Sequence, residues 1–512
     1  MELKSVLEIV GYGAWNGGIP VDNSIYEKKG LSFKGGIPVT RQTIEDRIGV
    51  RSRMTAPPNL RIGRIALQNL LEGTDLDLSR IRLFIGATNV GDDKKDPGPL
   101  IQHPYGTVKR TCPQARAFDL YAGCPGFNVA VELVFMLSLT GFLRTGDISI
   151  IVGAENIHRA QAFRPDDTAN IIFGDDSLAT ALQTRADLHP CGNYSCSEPA
   201  TYPFTDDFVA RIADVIFRLN GRDKIDGIII DNQIGRIACR IPATAARVQS
   251  ALVEKMYPDE AAAGHFRQFK EALSFYDRNI NAFAFDLMTL DQEPDLVERI
   301  ARAYVESGRY RTVASVFLDR RRGIRVKIHH GSGHAVYRPE TGIVDTLTRT
   351  HGCFGSYIQA VETARDVFGE MDGKGVFLYA TRGACKHLTE LLQRNDLTVN
   401  DIELLIEHQA NFAMIPMTLQ NVIDPAGPDR ERAVRDFIAN KMITNIHTRG
   451  NCSVVCMQRL PYDLLRGALK ADAIHGYDVN RNLEKLKQAH LIVNDSVGAG
   501  MTRSTFIRRA TQ

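Results

Sequence analysis

A cysteine lies between glycines at the start of a long apolar run in residues 119–139, DLYAGCPGFNVAVELVFMLSL. The residues after Gly126 are apolar nearly all round, which predicts a buried helix. Cys124 would then lie at the first turn of that helix, where unpaired backbone N–H groups and the positive end of the helix dipole favour the thiolate. On this motif alone two interpretations stay open: Cys124 is a small buried residue, or it is a nucleophile held at the N-terminus of a helix.

Polar side chains in the last third of the chain could assist such a nucleophile. His408 and Asn411 follow a predicted buried strand in LIEHQANFAMI, and Asn451 follows a glycine in NIHTRGNCSVVC. Alone, such a histidine is more often structural, and such an asparagine often marks only a turn. In duplicated α/β folds, however, residues at the carboxyl ends of strands converge on one crevice. A thiolate that takes an acyl group, with His and Asn N–H donors for an enolate-like carbonyl, would suit acyl transfer.

The elements that must position these residues show an internal repeat. The segments LLEGTDLDLSRIRLFIGAT (70–88) and LLQRNDLTVNDIELLIEHQ (391–409) match without gaps, and each predicts the end of a helix, a polar loop and a buried strand. A weaker similarity links RTGDISIIVGAEN (144–156) with KQAHLIVNDSVGAG (487–500). The alternative is that helix–loop–strand segments look alike by composition. We expect an α/β fold with two duplicated halves of similar topology.

The residues between the two halves have a pattern of their own. Predicted amphipathic helices alternate with the apolar strands IDGIIID, NAFAFDLM and RTVASVFLD, which is enough for a small α/β unit. We therefore divide the chain into an N-terminal half (1–188), an inserted α/β subdomain (189–327) and a C-terminal half (328–512). We expect a compact subdomain beside the substrate entrance, where it shapes that entrance, docks a partner protein or only enlarges a dimer contact.

Composition excludes several classes of protein. The chain has 512 residues, of which 44% are hydrophobic and 24% charged, as in a globular protein. A formal net charge of +2 gives no basic field for nucleic acid, and no apolar run is long enough to cross a bilayer. The nine cysteines lack the paired spacing of zinc ligands, so we expect no metal site and reduced thiols in the cytoplasm.

In order along the chain, the motifs resemble those of the β-ketoacyl-acyl carrier protein synthases III, of the thiolase-like superfamily. The similarity leaves the middle segment uncovered. The segments that carry it are EIVGYGAW, TIEDRIGVRSR, AFDLYAGCPGF, IIFGDDSLATAL, MDGKGVFLYA, EHQAN, GNCS and VGAGMTRSTFI.

The resemblance implies a thiolase-like fold, in which the two halves form stacked layers of helices and sheets. It implies that Cys124 is acylated by a thioester and that its N–H, with that of Ala499, forms the oxyanion hole. It implies that His408 and Asn451 hold the carbonyl of a malonyl or β-ketoacyl thioester during a decarboxylative Claisen condensation. Asn411 would support the histidine end of the site.

Further expectations follow from the same resemblance. It implies substrate contacts for Arg47, Phe127 and Gly450. The substrates would be acyl-CoA, acyl carrier protein and malonyl thioesters, with no permanently bound cofactor and no metal. The protein would be a homodimer through the central strands near the nucleophile.

The sequence departs from the family pattern at positions that concern the source of the acyl group. Thr43 stands where members often have a tryptophan, and Ala413 stands where a basic residue usually assists carrier docking. Asp176 replaces a glycine, and Gly123 replaces the more usual alanine. These departures leave open whether CoA or a carrier protein is the donor, and they suggest secondary metabolism, such as polyketide synthesis, instead of housekeeping fatty acid synthesis.

Two alternatives to condensation stay open at this point. The first is an acyltransferase of the same fold that passes the acyl group to a hydroxyl or an amine, which would not need Asn451. The second is a non-catalytic partner subunit, which would be expected to lose the cysteine. Because Asn451 and Cys124 are both present, condensation is the leading prediction.

Overall fold

The computed structural model describes ten segments of the chain. They are residues 4–57, 60–90, 112–164, 167–191, 193–234, 241–289, 294–332, 337–363, 366–423 and 429–510. The helices are α1 (Ser24–Glu27), α2 (Arg41–Ile48), α3 (Ile62–Gly73), α4 (Gly126–Leu139), α5 (Phe208–Asn220), α6 (Thr244–Met256), α7 (Pro258–Ala262), α8 (Phe269–Phe275), α9 (Pro294–Glu306), α10 (Gly373–Leu378), α11 (Ala384–Arg394), α12 (Met414–Val422), α13 (Arg430–Lys441), α14 (Ile446–Arg449), α15 (Cys456–Leu465) and α16 (Leu483–Lys487).

The strands alternate with these helices. They are β1 (Leu7–Ala14), β2 (Ile19–Asp22), β3 (Ser32–Phe33), β4 (Ile37–Pro38), β5 (Ser52–Thr55), β6 (Ile81–Ala87), β7 (Arg116–Tyr121), β8 (Ile148–Glu155), β9 (Asp176–Thr184), β10 (Tyr194–Cys196), β11 (Ala200–Tyr202), β12 (Gly227–Asn232), β13 (Phe283–Thr289), β14 (Thr312–Asp319), β15 (Gly323–Gly331), β16 (Gly342–Thr350), β17 (Ile358–Glu362), β18 (Val367–Met371), β19 (Leu404–Glu407), β20 (Asp472–Ile474), β21 (Tyr477–Val479), β22 (Leu491–Gly498) and β23 (Thr502–Arg509).

Two sheets with matching halves confirm the predicted duplication. In the described segments the first sheet has the order β1-β9-β8-β6-β7-β13-β12-β14-β15-β10, and the second has the order β16-β23-β22-β19. The strands β1-β9-β8-β6 and β16-β23-β22-β19 also agree in direction, since only the last pair of each series is parallel. The repeated sequences end in β6 and β19, and the weaker pair ends in β8 and β22.

The helices form layers inside and outside the two sheets. All residues of α4 are buried, because this helix lies between the sheets and packs against strands of both. The helix α15 shares that central layer. The helix α3 packs on the outer face of the first sheet, and α11, α12 and α13 build a separate core on the outer side of the second. These layers confirm the predicted stacked α/β architecture.

The middle segment extends the first sheet. Its strand β13 pairs antiparallel with β7, and Leu287 lies opposite Leu120. The helices α5 and α6 cover one face of its strands, and α9 covers the other beside α4. The predicted subdomain therefore has helices of its own, but its main strands join the sheet of the N-terminal half instead of forming a sheet apart.

This pairing corrects the expected location of the homodimer contact. The strand β7 has β6 on one edge and β13 of the same chain on the other. A dimer through this strand is wrong for this sheet, because the edge that a second chain would need is already hydrogen-bonded. Among the described helices, none combines the length and the apolarity that crossing a membrane requires.

Candidate active site

The predicted nucleophile lies where two backbone turns meet. Cys124 is partly exposed on the loop between β7 and α4. Gly123 has a φ of +71°, and a Cβ there would lie 2.5 Å from the nitrogen of Ala499. A Cβ on Gly498 would lie 2.4 Å from the nitrogen of Cys124. Glycines at both positions allow the backbones of Cys124 and Ala499 to touch, as two N–H donors to one oxyanion require.

His408 reaches the nucleophile from the C-terminal half. It follows β19, and its backbone N–H donates to the carbonyl of Asp495 at 2.9 Å. Its imidazole interacts with the sulfur atoms of both Cys124 and Cys456. Burial disfavours the charged ring, but the two sulfur groups outweigh burial and raise the pKa of His408 to about 10. The ring is therefore a hydrogen-bond donor at neutral pH.

Asn451 is fixed by hydrogen bonds between the two halves. Its N–H donates to the carbonyl of Ile172 at 2.9 Å, and its own carbonyl accepts from Gly174 at 3.0 Å. Its Oδ1 accepts from the N–H of Ser453 at 2.7 Å. Because the oxygen is engaged in this way, the amide presents its Nδ2 group as a donor to the cavity that Asn451 lines with Cys124.

Asp176, which replaces a glycine of the family pattern, supports the loop that carries Asn451. The carboxylate is fully buried and lies 3.1 Å from Nη1 of Arg449 and 3.4 Å from Nη1 of Arg459. The residue after Arg449 is Gly450, whose φ is +68° and where a Cβ would lie 3.0 Å from the carbonyl oxygen of Ile172. Gly450, which we predicted to contact substrate, therefore shapes the turn that presents the next residue.

A hydrogen-bond chain behind the nucleophile was missed by the sequence analysis. The hydroxyl of Ser453 donates to the sulfur of Cys124 at 3.4 Å, and Asn89 Nδ2 donates to that hydroxyl at 2.8 Å. The carboxylate of Glu155 accepts from the N–H of Asn89 and from that of Val90. Burial raises the pKa of Glu155 to about 7, although these hydrogen bonds oppose the shift. The motif GNCS was the available signal for Ser453.

Two apolar cavities meet at Cys124. The first has a volume of about 640 Å³ including its opening to solvent, and its walls include Val90, Ile157, Phe163 and Ile241. The rings of Phe163 and Phe173 stack there at 5.4 Å. This cavity is apolar and suits a hydrocarbon chain.

The second cavity holds the polar groups. It has a volume of about 740 Å³ including its opening to solvent, and it is lined by Cys124, His408, Asn411 and Asn451 among apolar residues. Asn411 thus lies on the cavity wall itself, beside the histidine that we expected it to support.

The hairpin β17–β18 contributes to both cavities. Ile358, Ala360, Val367 and Phe368 line the first, and Ile358 and Met371 line the second. The backbone of Gly369 approaches the ring of Phe163 so closely that a Cβ would lie 2.8 Å from it. The sequence analysis did not place this hairpin at the site, because its residues carry no motif that points to a pocket.

Two predicted substrate contacts lie elsewhere. Phe127 is 1% exposed and packs edge-on against Phe506 at 6.3 Å, so its ring belongs to the core. Arg47 is exposed, and its guanidinium lies 5.1 Å from the ring centre of Phe33. Neither residue lines the two cavities, and substrate binding stays a prediction for both Phe127 and Arg47. Within the described residues, no group of three His, Cys, Asp or Glu side chains could hold a metal ion.

Comparison with known proteins agrees with this geometry. No family model matches the chain. A β-ketoacyl-[acyl-carrier-protein] synthase III of Helicobacter pylori strain J99 is 26% identical over 226 residues, which cover 40% of this chain and 60% of that protein. The counterpart from strain 26695 has the same identity and coverage. The chain thus spans about 60% of the length of the curated relatives it matches, and it is the longer chain, as an insertion requires.

Solved structures extend the likeness to the whole chain. The 3-oxoacyl-(acyl carrier protein) synthase III of Pseudomonas aeruginosa PAO1 superimposes with a TM-score of 0.52 at 14% identity, covering 99% of both chains. This protein has the fold of the synthases III. The enzyme of Aquifex aeolicus VF5 gives a TM-score of 0.51 at 15% identity over 98% of this chain and 99% of its own. The resemblance predicted from the motifs is therefore confirmed, and at these identities the solved structures show the fold alone.

Proposed function

We propose that the protein is a ketosynthase III-like acyltransferase of fatty acid or polyketide biosynthesis that joins an acyl group to a malonyl or β-ketoacyl thioester. One observation carries the proposal: Cys124 lies between an apolar cavity and a second cavity that holds His408 and Asn451. A covalent acyl group can thus lie on one side of the sulfur while a second thioester enters on the other.

The first half-reaction uses the sulfur and the two backbone donors. The thiolate of Cys124 attacks the carbonyl of an acyl-CoA or acyl carrier protein thioester. The tetrahedral oxyanion accepts from the N–H groups of Cys124 and Ala499. The carrier thiolate leaves and takes a proton, so that the product is an acyl-cysteine and a free carrier thiol.

The second half-reaction uses the donors of the second cavity. A malonyl thioester loses its carboxylate as carbon dioxide, and the electron pair of the broken C–C bond forms an enolate. His408 and Asn451 donate hydrogen bonds to the enolate oxygen, which carries the negative charge that develops in this step. The α-carbon attacks the acyl-cysteine carbonyl, and collapse of the tetrahedral intermediate returns the thiolate of Cys124 and releases a β-ketoacyl thioester.

The state of the cysteines agrees with an enzyme of the reducing cytoplasm. Among the described residues, Cys124, Cys452 and Cys456 are free thiols. We therefore propose a cytoplasmic location, where the sulfur of Cys124 stays available.

The variant Asn451→Ala tests the condensation directly. Acylation of Cys124 should persist in this variant. It is measured by intact-protein mass spectrometry after incubation with a panel of acyl-CoA thioesters. Release of carbon dioxide from malonyl-CoA or a malonyl carrier protein should fall by about two orders of magnitude, the usual cost of one lost oxyanion donor. The exposed Asn279→Ala serves as the matched control. Normal release of carbon dioxide by Asn451→Ala would favour the alternative, transfer of the acyl group to a hydroxyl or an amine.

A further inference from the structure

The first sheet is symmetric about the contact between β7 and β13. From that contact outward, one side has the order β7, β6, β8, β9, β1, and the other has the order β13, β12, β14, β15, β10. In both series the first three strands are parallel, and the last two are each antiparallel to the strand before. The chain also visits the equivalent strands of both series in the same succession.

The sequences of the two central strands repeat as well. Residues 117–120 and residues 284–287 both have the sequence AFDL. The last residues of these repeats, Leu120 and Leu287, lie directly opposite each other. A two-fold axis through this pair therefore exchanges the repeats. The helices that follow, α4 and α9, obey the same relation and pack against each other.

The second copy lacks the nucleophile. Cys124 lies four residues beyond Leu120, and the residue four beyond Leu287 is Asp291. Position 291 lies outside the described residues, but the sequence TLDQEP around it contains no cysteine. This copy therefore cannot hold an acyl group as a thioester at the equivalent position.

The second copy nevertheless reaches the active site of the first. Ile241 lines the apolar cavity together with Cys124. The carbonyl of Ile241 accepts from the N–H of Ala360 on the hairpin β17–β18 at 2.8 Å. The helix α6 begins just beyond, and the N–H groups of Thr244 and Ala245 both donate to the carboxylate of Asp286 at 2.8 Å. Asp286 belongs to the repeated AFDL, so the repeat itself anchors the segment that carries Ile241.

We infer that residues 189–331 are a second copy of the N-terminal half that has lost its nucleophile and serves, within the same chain, as the structural partner of the catalytic copy. It occupies the edge of β7, and it supplies Ile241 as the wall that limits the length of the acyl group. The limit on acyl length rests on the proposed function, in which this cavity holds the acyl chain.

Two opposite substitutions in the full-length chain test the wall. The variants are assayed with acyl-CoA thioesters of increasing chain length. For the longest acyl group that the wild type accepts, Ile241→Trp should acylate Cys124 at least about tenfold more slowly, because extra volume in a packed pocket is poorly tolerated. Acetyl transfer should fall less than transfer of the longest group, so that the ratio of long-chain to acetyl transfer drops at least about fivefold relative to the wild type. Ile241→Ala should shift the preference toward longer groups. Leu219→Trp, on the exposed side of α5 in the same copy, is the matched control.

Mixing distinguishes a partner in the same chain from a second chain. The purified Ile241→Trp protein is mixed with the purified Cys124→Ala protein, which retains the native wall but has no nucleophile. We expect no recovery of long-chain acylation, and sedimentation of the wild type as a single species of 56.8 kDa.

Three results would overturn the inference: an unchanged length profile in both Ile241 variants, recovery of long-chain acylation on mixing, or a stable species of twice the mass. Failure of every thioester to acylate the wild type would contradict the proposed function instead. The sedimentation measurement needs no substrate and still decides whether the partner lies in the same chain.

Discussion

The hydroxyl of Ser453 donates a hydrogen bond to the sulfur of Cys124 across 3.4 Å. Ser453 holds a left-handed backbone, with a φ of 50°, which costs a non-glycine residue about 1–2 kcal/mol. Hydrogen bonds from Ser453 N–H to Asn451 and from Asn89 to the hydroxyl of Ser453 keep the residue in this conformation. Strain that is maintained beside a nucleophile indicates that the hydroxyl is placed to stabilise the thiolate.

Replacement of Ser453 by alanine should slow the chemistry of Cys124. A hydrogen bond to a charged group contributes about 1.5–3 kcal/mol, so Ser453→Ala should lower the rates of acylation and of iodoacetamide alkylation about ten- to hundredfold. Stopped-time mass spectrometry of the intact protein measures both rates. Ser453→Gly removes the same hydroxyl and relieves the strain, so it should be equally slow but melt at a higher temperature than Ser453→Ala. Wild-type rates in Ser453→Ala would show that the hydroxyl does not support the thiolate.

Two thiols face His408, and we expect only one to carry the acyl group. The imidazole interacts with Cys124 and with Cys456, but Cys456 is only 2% exposed, whereas Cys124 opens on both cavities. Cys124→Ala should therefore abolish acylation, and Cys456→Ser should keep it within about threefold of the wild type, because the nucleophile is untouched. Peptide mapping of the acylated protein locates the label. Recovery of the acyl group on the peptide of Cys456 would contradict the assignment.

The meeting of Cys124 and His408 could be predicted because each lies in a recognisable motif just beyond a strand, and the duplication fixes how those strands are ordered. Asn451 was expected at such a junction too, but it follows the helix α14. The walls of the apolar cavity could not be predicted in this way. Ile241 and the hairpin β17–β18 approach Cys124 only through tertiary packing. The burial of Phe127 follows from the sequence: the helix after the nucleophile is apolar nearly all round, and it lies between two sheets, so its first turn packs into the core.

The placement of the middle segment shows a second limit of sequence reasoning. Alternating helices and apolar strands are equally compatible with a separate sheet and with extension of an existing one, because both bury the same faces. The decisive feature is the pairing of β7 with β13, which depends on which strand edge is free. The repeated AFDL in residues 117–120 and 284–287 was the signal that could have indicated this pairing.

A pair of carboxyl groups behind His408 makes stability depend on pH. Glu407 and Asp495 lie opposite each other on the parallel strands β19 and β22. Burial and the charge of Asp495 raise the pKa of Glu407 to about 8, although the charge of His408 opposes the shift. Its Oε2 atom is buried with no hydrogen-bond partner among the described residues. An unfolded glutamate titrates near pH ~4.3, so the unfolded chain loses this proton first as the pH rises.

Glu407→Gln should flatten this dependence. Between about pH 5 and pH 8 the folded wild type binds more protons at this site than the unfolded chain, so its free energy of unfolding falls as the pH rises through that window. Glutamine has no proton to lose, and the variant should lose about 3–4 kcal/mol less across the window. Urea denaturation at several pH values measures the difference, and the exposed Glu271→Gln should follow the wild-type curve. Parallel curves for Glu407→Gln and the wild type would mean that Glu407 is already ionised throughout, and that the charge beside His408 is that of a carboxylate pair.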